Sequence, residues 1–210
     1  MKEEKIDNEM SELENKIIAS AKELFIKNGY EDTSMSDIAA LVGMNRSGIH
    51  YYYRTKEKMF QAVAGSIINE ILPTANNILD NDKLTFFEKV EHIADQYISV
   101  YKRNPDLVYF IFNELRRDSD HLINLAKSEG IFDYLNRLIN LLQSEMDAER
   151  IRKIPLQYIG CQVVSQLFFP FIAQPVITKI LLDSQESFDT FVDNWKTYVL
   201  AEIRQTLEIK

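Results

Sequence analysis

Residues 17–59 read IIASAKELFIKNGYEDTSMSDIAALVGMNRSGIHYYYRTKEKM, and the order of helix signals in this stretch decides the fold. Ile18, Ala21 and Phe25 recur at spacings of three and four, with Ile17 and Leu24 widening the stripe. That spacing predicts a helix that starts at Glu14 and buries one face. Gly29 closes it, because glycine takes the left-handed conformation of a last turn at no steric cost. Ser34 followed by Asp37 is close to a capping box, so a short helix is expected from Met35 to about Val42, with Gly43 making the turn. Asn45 then caps a third helix from Arg46 to about Tyr53, and Thr55 caps a fourth that opens KEKMFQAVAGSIINEIL. Helix, tight glycine turn, helix is the arrangement of a helix-turn-helix.

Outward from this stretch the segments lengthen but stay helical. Helices are expected over 56–76, bent or ended near Pro73, over 84–101 and over 105–117. Further ones are expected over 121–146, with Gly130 a point of division, in the uncharged stretch from Ile154, and over 186–209. No segment alternates with period two for long enough to make a sheet. The expected fold is all-α: a three-helix helix-turn-helix domain over 1–60, then a larger domain of longer helices over 61–210.

Composition narrows the function. A chain that is 46% hydrophobic with 6 Gly and 5 Pro is neither low-complexity nor disordered, and its single Cys excludes a disulfide framework and a thiolate zinc cluster. The charged N-terminus is unlike a signal peptide. The uncharged run Ile154–Thr178 is long enough to span a bilayer, yet Pro155, Pro170 and Pro175 interrupt it and Gln157, Gln162, Gln166 and Gln174 would be costly in lipid. It reads as a helix buried by protein, and a cytoplasmic location with no membrane partner is expected.

The net charge of −8 argues against a nucleic-acid partner until it is resolved along the chain. Residues 44–58 carry +3, whereas residues 61–210 carry −6. The positive charge therefore sits on the second helix of the motif and on the start of the next. A solvated surface turn has that composition; so does a helix that docks in the major groove, whose polar residues reach base edges while cations hold phosphates. On the second reading Ser34, Asn45, Arg46, Ser47, His50, Tyr51, Tyr52 and Lys56 are the candidate DNA contacts. Arg46 is the base reader, since a guanidinium spans guanine O6 and N7, and Lys56 meets phosphate.

The same residues resemble the N-terminal signature of the TetR family of bacterial transcriptional regulators. The likeness rests on Ala21, Leu24-Phe25 and Gly29-Tyr30, then Thr33 ahead of Asp37-Ile38-Ala39, then Val42-Gly43, Ile49, Tyr52-Tyr53 and Lys56-Glu57. It implies that 1–60 is a DNA-binding domain and 61–210 a ligand-binding and dimerisation domain, in a homodimer on a pseudo-palindromic operator of double-stranded DNA, usually a repressor released by a small effector. The sequence departs from the usual pattern at Gly48, where a hydroxyl residue is frequent, at His50, where a Tyr is usual, and at Arg54, an added cation.

The larger domain is rich in aromatic residues, which suits a hydrophobic or aromatic effector of moderate size. Candidates to line its pocket are Tyr97, Tyr101, Tyr109, Phe112, Phe132, Gln162 and Gln166. Helped by the resemblance, Val163, Leu167, Phe188, Val192, Trp195, Val199 and Ile203 on the last two long helices are the candidate dimer interface. The sequence holds no GxGxxG, P-loop or HExxH, and His50, His92 and His121 lack metal-ligand spacing. Cys161 lies in an apolar helix and reads as a buried thiol. No enzymatic activity, cofactor or metal is expected.

Overall fold

The computed structural model describes residues 2–183 and 185–209, with side chains from residue 11 onward. Among these residues there is no strand. The helices are α1 (Lys2–Asn28), α2 (Met35–Val42), α3 (Arg46–Tyr52), α4 (Lys56–Asp80), α5 (Phe86–Arg103) and α6 (Leu107–Arg117). They continue with α7 (Ser119–Ser128), α8 (Ile131–Asp147), α9 (Leu156–Ile172), α10 (Gln174–Val176, leading into a π-helical turn over Ile177–Leu181) and α11 (Phe188–Leu207).

Several boundaries differ from the sequence expectation for identifiable reasons. α1 begins at Lys2 rather than Glu14, since its charged first turns are made of good helix formers that leave no apolar stripe. α4 runs through Pro73 to Asp80, with the ring on the exposed side. α6 starts at Leu107, because the Leu107 N–H bonds the Asn104 carbonyl at 3.0 Å and makes a turn of the Pro105 step. Gly130, at φ 79°, does separate α7 from α8. No single described helix is long and apolar enough to cross a membrane; α9 and the segment after it bend by 57°.

The chain forms two compact units, one of residues 1–70 with 109–129 and the other of 71–108 with 130–210. The division expected near residue 60 thus falls at 70/71 by contacts, and the return of 109–129 to the first unit has no local signal.

In the first unit Ala21 and Phe25 are buried as their spacing predicts, and Ile38, Val42, Ile49 and Tyr53 are buried too. Ile17 is fully buried, whereas Ile18 is only half-buried, so the stripe of α1 is centred one residue earlier than expected. Phe60 packs against Phe25, Tyr30, Phe110 and His121 at ring separations of 5.0–5.8 Å. Thr33 is buried because its hydroxyl donates to the Gly29 and Leu24 carbonyls at 2.9 and 3.1 Å, satisfying the end of α1.

In the second unit α5, α9 and α11 pack on one another. Ion pairs Lys196–Asp95 and Lys102–Asp193 tie α11 to α5, and the Trp195 indole donates to the Gln166 carbonyl at 2.8 Å, tying α11 to α9. A neighbouring cluster joins Ala75 and Leu79 of α4, Ile93 of α5 and Tyr134 of α8.

The one-residue shift in α1 is measurable. Ile17→Ala is expected to cost about 2–5 kcal/mol in urea unfolding, in the range of a fully buried large-to-small change, and Ile18→Ala clearly less. Equal losses would contradict the assignment.

Candidate nucleic-acid interface

The helix-turn-helix is built by its caps. Ser34 and Asp37 form a complete capping box: the Ser34 N–H and Oγ–H donate to Asp37 Oδ2 at 2.8 and 2.6 Å, and the Asp37 N–H donates to Ser34 Oγ at 3.2 Å. The Ser34 hydroxyl and then its N–H favour the ionised carboxylate, so the Asp37 pKa lies below the ordinary carboxylate value. At the other end of α2, Gly43 sits at φ 82° while its N–H and that of Met44 bond the Ala40 and Ala39 carbonyls at 3.2 and 2.8 Å. That left-handed residue reverses the chain into α3.

Asn45 caps α3 with one oxygen, which accepts from the Gly48 N–H at 2.7 Å and the Ser47 hydroxyl at 2.8 Å. A Cβ on Gly48 would lie 3.2 Å from that oxygen and 2.8 Å from Met44 Cε. A side chain at Gly48 would thus require the mobile end of Met44 and the capping amide to shift slightly. α1 holds both helices of the motif: Lys16 Nζ donates to the Val42 carbonyl and the Tyr53 hydroxyl to Glu14 Oε1, each at 3.0 Å. Burial, and next the Glu14 carboxylate, push the Tyr53 phenol up, so it stays protonated.

Asn45, Arg46 and Ser47 at the start of α3 are exposed, and Tyr51 is 76% exposed with its ring edge-on to the half-buried Tyr52 at 5.4 Å. Arg46 Nε donates to His50 Nε2 at 3.2 Å, and His50 Nδ1 lies 3.1 Å from the Arg54 carbonyl. Lys56 is more committed than expected. Its ammonium donates to the Glu31 carbonyl at 3.0 Å and stands 4.3 Å over the Tyr30 ring, leaving two of its three N–H donors for an anion. Arg46, Ser47, His50 and Tyr51 are thus gathered on one short helix, with Ser34 and Lys56 on the adjoining helix starts.

The family model for bacterial regulatory proteins of the tetR family matches residues 17–63, the stretch just described. The chain is similar to the tetR family over this segment. Over 48 residues it is 44% identical to the HTH-type transcriptional regulator QacR of Staphylococcus aureus, covering 23% of this chain and 26% of that protein. It is 24% identical over 95 residues to IcaR of Staphylococcus epidermidis, a negative transcriptional regulator of the biofilm operon icaADBC, covering 42% of this chain and 51% of the relative. The matches therefore span about a quarter to a half of these curated relatives. The solved fatty acid degradation regulator FadR of Bacillus halodurans shares the fold over 89% of this chain and 93% of its own, with TM-score 0.66 and 16% identity.

The other candidate residues are more scattered. Tyr109 and Phe112 belong to the first unit, Phe112 being 43% exposed; Tyr97, Tyr101, Phe132, Gln162 and Gln166 belong to the second. Tyr97 and Tyr101 stack at 6.3 Å, and Tyr101 packs on Phe168 and Phe171 at 5.1 and 5.3 Å as part of the core. Burial raises both phenol pKa values. Phe132, Gln162 and Gln166 are half-buried, and Gln166 Oε1 is a buried oxygen with no hydrogen-bond partner. A surface groove of about 280 Å³ in the second unit, lined by Phe87, Val90, Leu200 and Arg204 among others, contains none of these candidates.

The dimer candidates need correction. Leu167, Val192, Val199 and Ile203 are buried inside the second unit, so they face its own core. Val163, Phe188 and Trp195 are half-buried. The apolar side chains that α9 and α11 leave outward are Tyr158, Val164, Phe169 and Tyr198, each more than half exposed. Cys161 is also exposed rather than buried. A group the sequence did not anticipate lies in the first unit: Glu57 accepts from the Tyr30 hydroxyl at 3.3 Å and pairs with His121 at 2.7 Å, while Arg117 pairs with the buried Glu114 at 2.6 Å. Its members are far apart in sequence, so no motif could have shown it.

The capping box gives a pH dependence of known sign. A carboxylate whose pKa is depressed on folding contributes fully at neutral pH, and the contribution fades as pH falls through the folded value. Ser34→Ala should move the Asp37 midpoint up toward the ordinary carboxylate value in an NMR titration. An unchanged midpoint would contradict the box.

Proposed function

We propose that this chain is a ligand-responsive transcriptional regulator that binds double-stranded DNA through α3. The observation that carries the reading is the exposed polar row Asn45, Arg46, Ser47 and Tyr51, presented after the Gly43 turn in the segment matched by the tetR-family model. The local +3 charge of residues 44–58 supplies the phosphate attraction that the acidic remainder lacks. On this reading Arg46 reads guanine, Tyr51 and Tyr52 contact the backbone, and Lys56 offers its remaining donors to phosphate.

The chain acts as a homodimer on a pseudo-palindromic operator in the cytoplasm, as a repressor released by a small hydrophobic or aromatic effector. IcaR, a negative regulator, supports the sign of regulation. The aromatic second unit, with Tyr97, Phe132, Gln162 and Gln166 only partly covered, supports the effector class. The outward side chains Tyr158, Val164, Phe169 and Tyr198, together with Val163, Phe188 and Trp195, are the pairing surface.

Selection of bound duplexes from a random pool tests the DNA reading. Enrichment of two half-sites about one helical turn or more apart is expected, and no enrichment would end it. Arg46→Ala should relax preference at one guanine, whereas Lys56→Ala should weaken all duplexes alike and lower the salt slope by about 1. For the pairing surface, Tyr198→Glu should shift a dilute sample toward monomer in sedimentation; a wild-type chain that is already monomeric would refute the dimer.

A further inference from the structure

Arg46, His50 and Arg54 form a row one helical turn apart in which each is bonded to the next. Arg46 Nε–H donates to His50 Nε2 at 3.2 Å, so His50 Nε2 must carry the lone pair. The proton then sits on Nδ1, which faces the Arg54 carbonyl at 3.1 Å and donates to it. The two bonds require the same tautomer of one neutral ring. Arg54 lies past the end of α3, after the extended Tyr53, so the second bond fixes the ring to the backbone that leaves the helix.

We infer that His50 is a positioning residue for DNA reading: its ring, anchored on the Arg54 carbonyl, holds Arg46 by Nε and orients the terminal edge of the guanidinium for a guanine. The inference rests on the DNA-binding reading above and goes beyond it. It gives His50 a role through Arg46 rather than a contact of its own with DNA. Arg has five N–H donors, and commitment of Nε leaves the two terminal amino groups for O6 and N7. An exposed arginine otherwise samples many rotamers and must be ordered on binding; ordering it beforehand is worth roughly 2–10-fold in affinity. A solvent-exposed hydrogen bond does not give more than that, so the effect belongs in discrimination at one base rather than in overall binding.

The two amide analogues of histidine separate the roles. His50→Gln puts an oxygen near the Nε2 position and can still accept from Arg46. His50→Asn puts its amide near Nδ1 and keeps only the bond to the Arg54 carbonyl. The full-length wild type first selects a duplex from a random pool, and Arg46→Ala identifies the guanine it reads. Dissociation constants are then measured for that duplex and its guanine-to-adenine variant. His50→Asn should lower discrimination at that base about 3–10-fold with little change on the variant duplex, and His50→Gln should retain it. The double variant Arg46→Ala/His50→Asn should discriminate no worse than Arg46→Ala alone.

Three results overturn the inference: equal loss in both amide variants, a uniform loss on both duplexes (a direct phosphate contact by His50), or additive losses in the double variant. The free protein provides an arm independent of DNA. The Arg46 Nε–H signal in an NMR spectrum should exchange more slowly with water in wild type and His50→Gln than in His50→Asn; equal exchange in all three overturns the positioning bond. No enriched duplex would instead remove the DNA reading, and the aiming role with it, whatever the exchange rates show.

Discussion

Phe60 is the side chain on which the first unit depends. It is almost wholly buried, and rings from α1 (Phe25), the turn after it (Tyr30), α6 (Phe110) and α7 (His121) all pack on it. Such ring pairs contribute about 0.5–1.5 kcal/mol each beyond the area they bury. Phe60 lies four residues after Lys56, so its packing fixes where α4 begins and where the chain leaves α3. The polar shell of Glu57, His121, Arg117 and Lys56 surrounds this ring cluster. These pairs are mostly half-exposed and contribute less to stability than to geometry.

Local rules made the first unit legible. Ser34, Gly43, Asn45 and Gly29 act within a few residues of themselves, so α2 and α3 and the turn between them could be read almost to the residue. α1 was read too short, since its charged first turns follow propensity rather than an apolar stripe, and Ile17 rather than Ile18 is its buried member. The exposed polar residues of α3 were legible as residue types, but the bond from Arg46 to His50 depends on a tautomer and a rotamer. The return of 109–129 to the first unit depends on contacts such as Phe60 with Phe110, which no window of sequence contains.

The second unit shows a different limit. α9 and α11 each carry apolar residues on more than one face, and periodicity cannot say which face meets the protomer's own core. Val192, Val199 and Ile203 form the stripe with the clearest spacing, and they are inside. Tyr198, which interrupts it, is outside. The same ambiguity affects the aromatic residues: Tyr101 fills the core, while the buried Tyr134 hydroxyl and Gln166 Oε1 are left without partners.

The end of α1 bears on the chemical ageing of the protein. Asn28-Gly29 is the dipeptide most prone to deamidate, through attack of the glycine nitrogen on the asparagine carboxamide. Here that nitrogen donates its hydrogen to the Phe25 carbonyl at 2.9 Å, and Asn28 is the last residue of the helix. Ring closure therefore requires the final turn of α1 to open first, a local opening opposed by the buried Phe25 and by the Thr33 hydroxyl bound to the Gly29 carbonyl. The turn that closes α1 thus also protects the folded chain from a slow loss of the amide beside it.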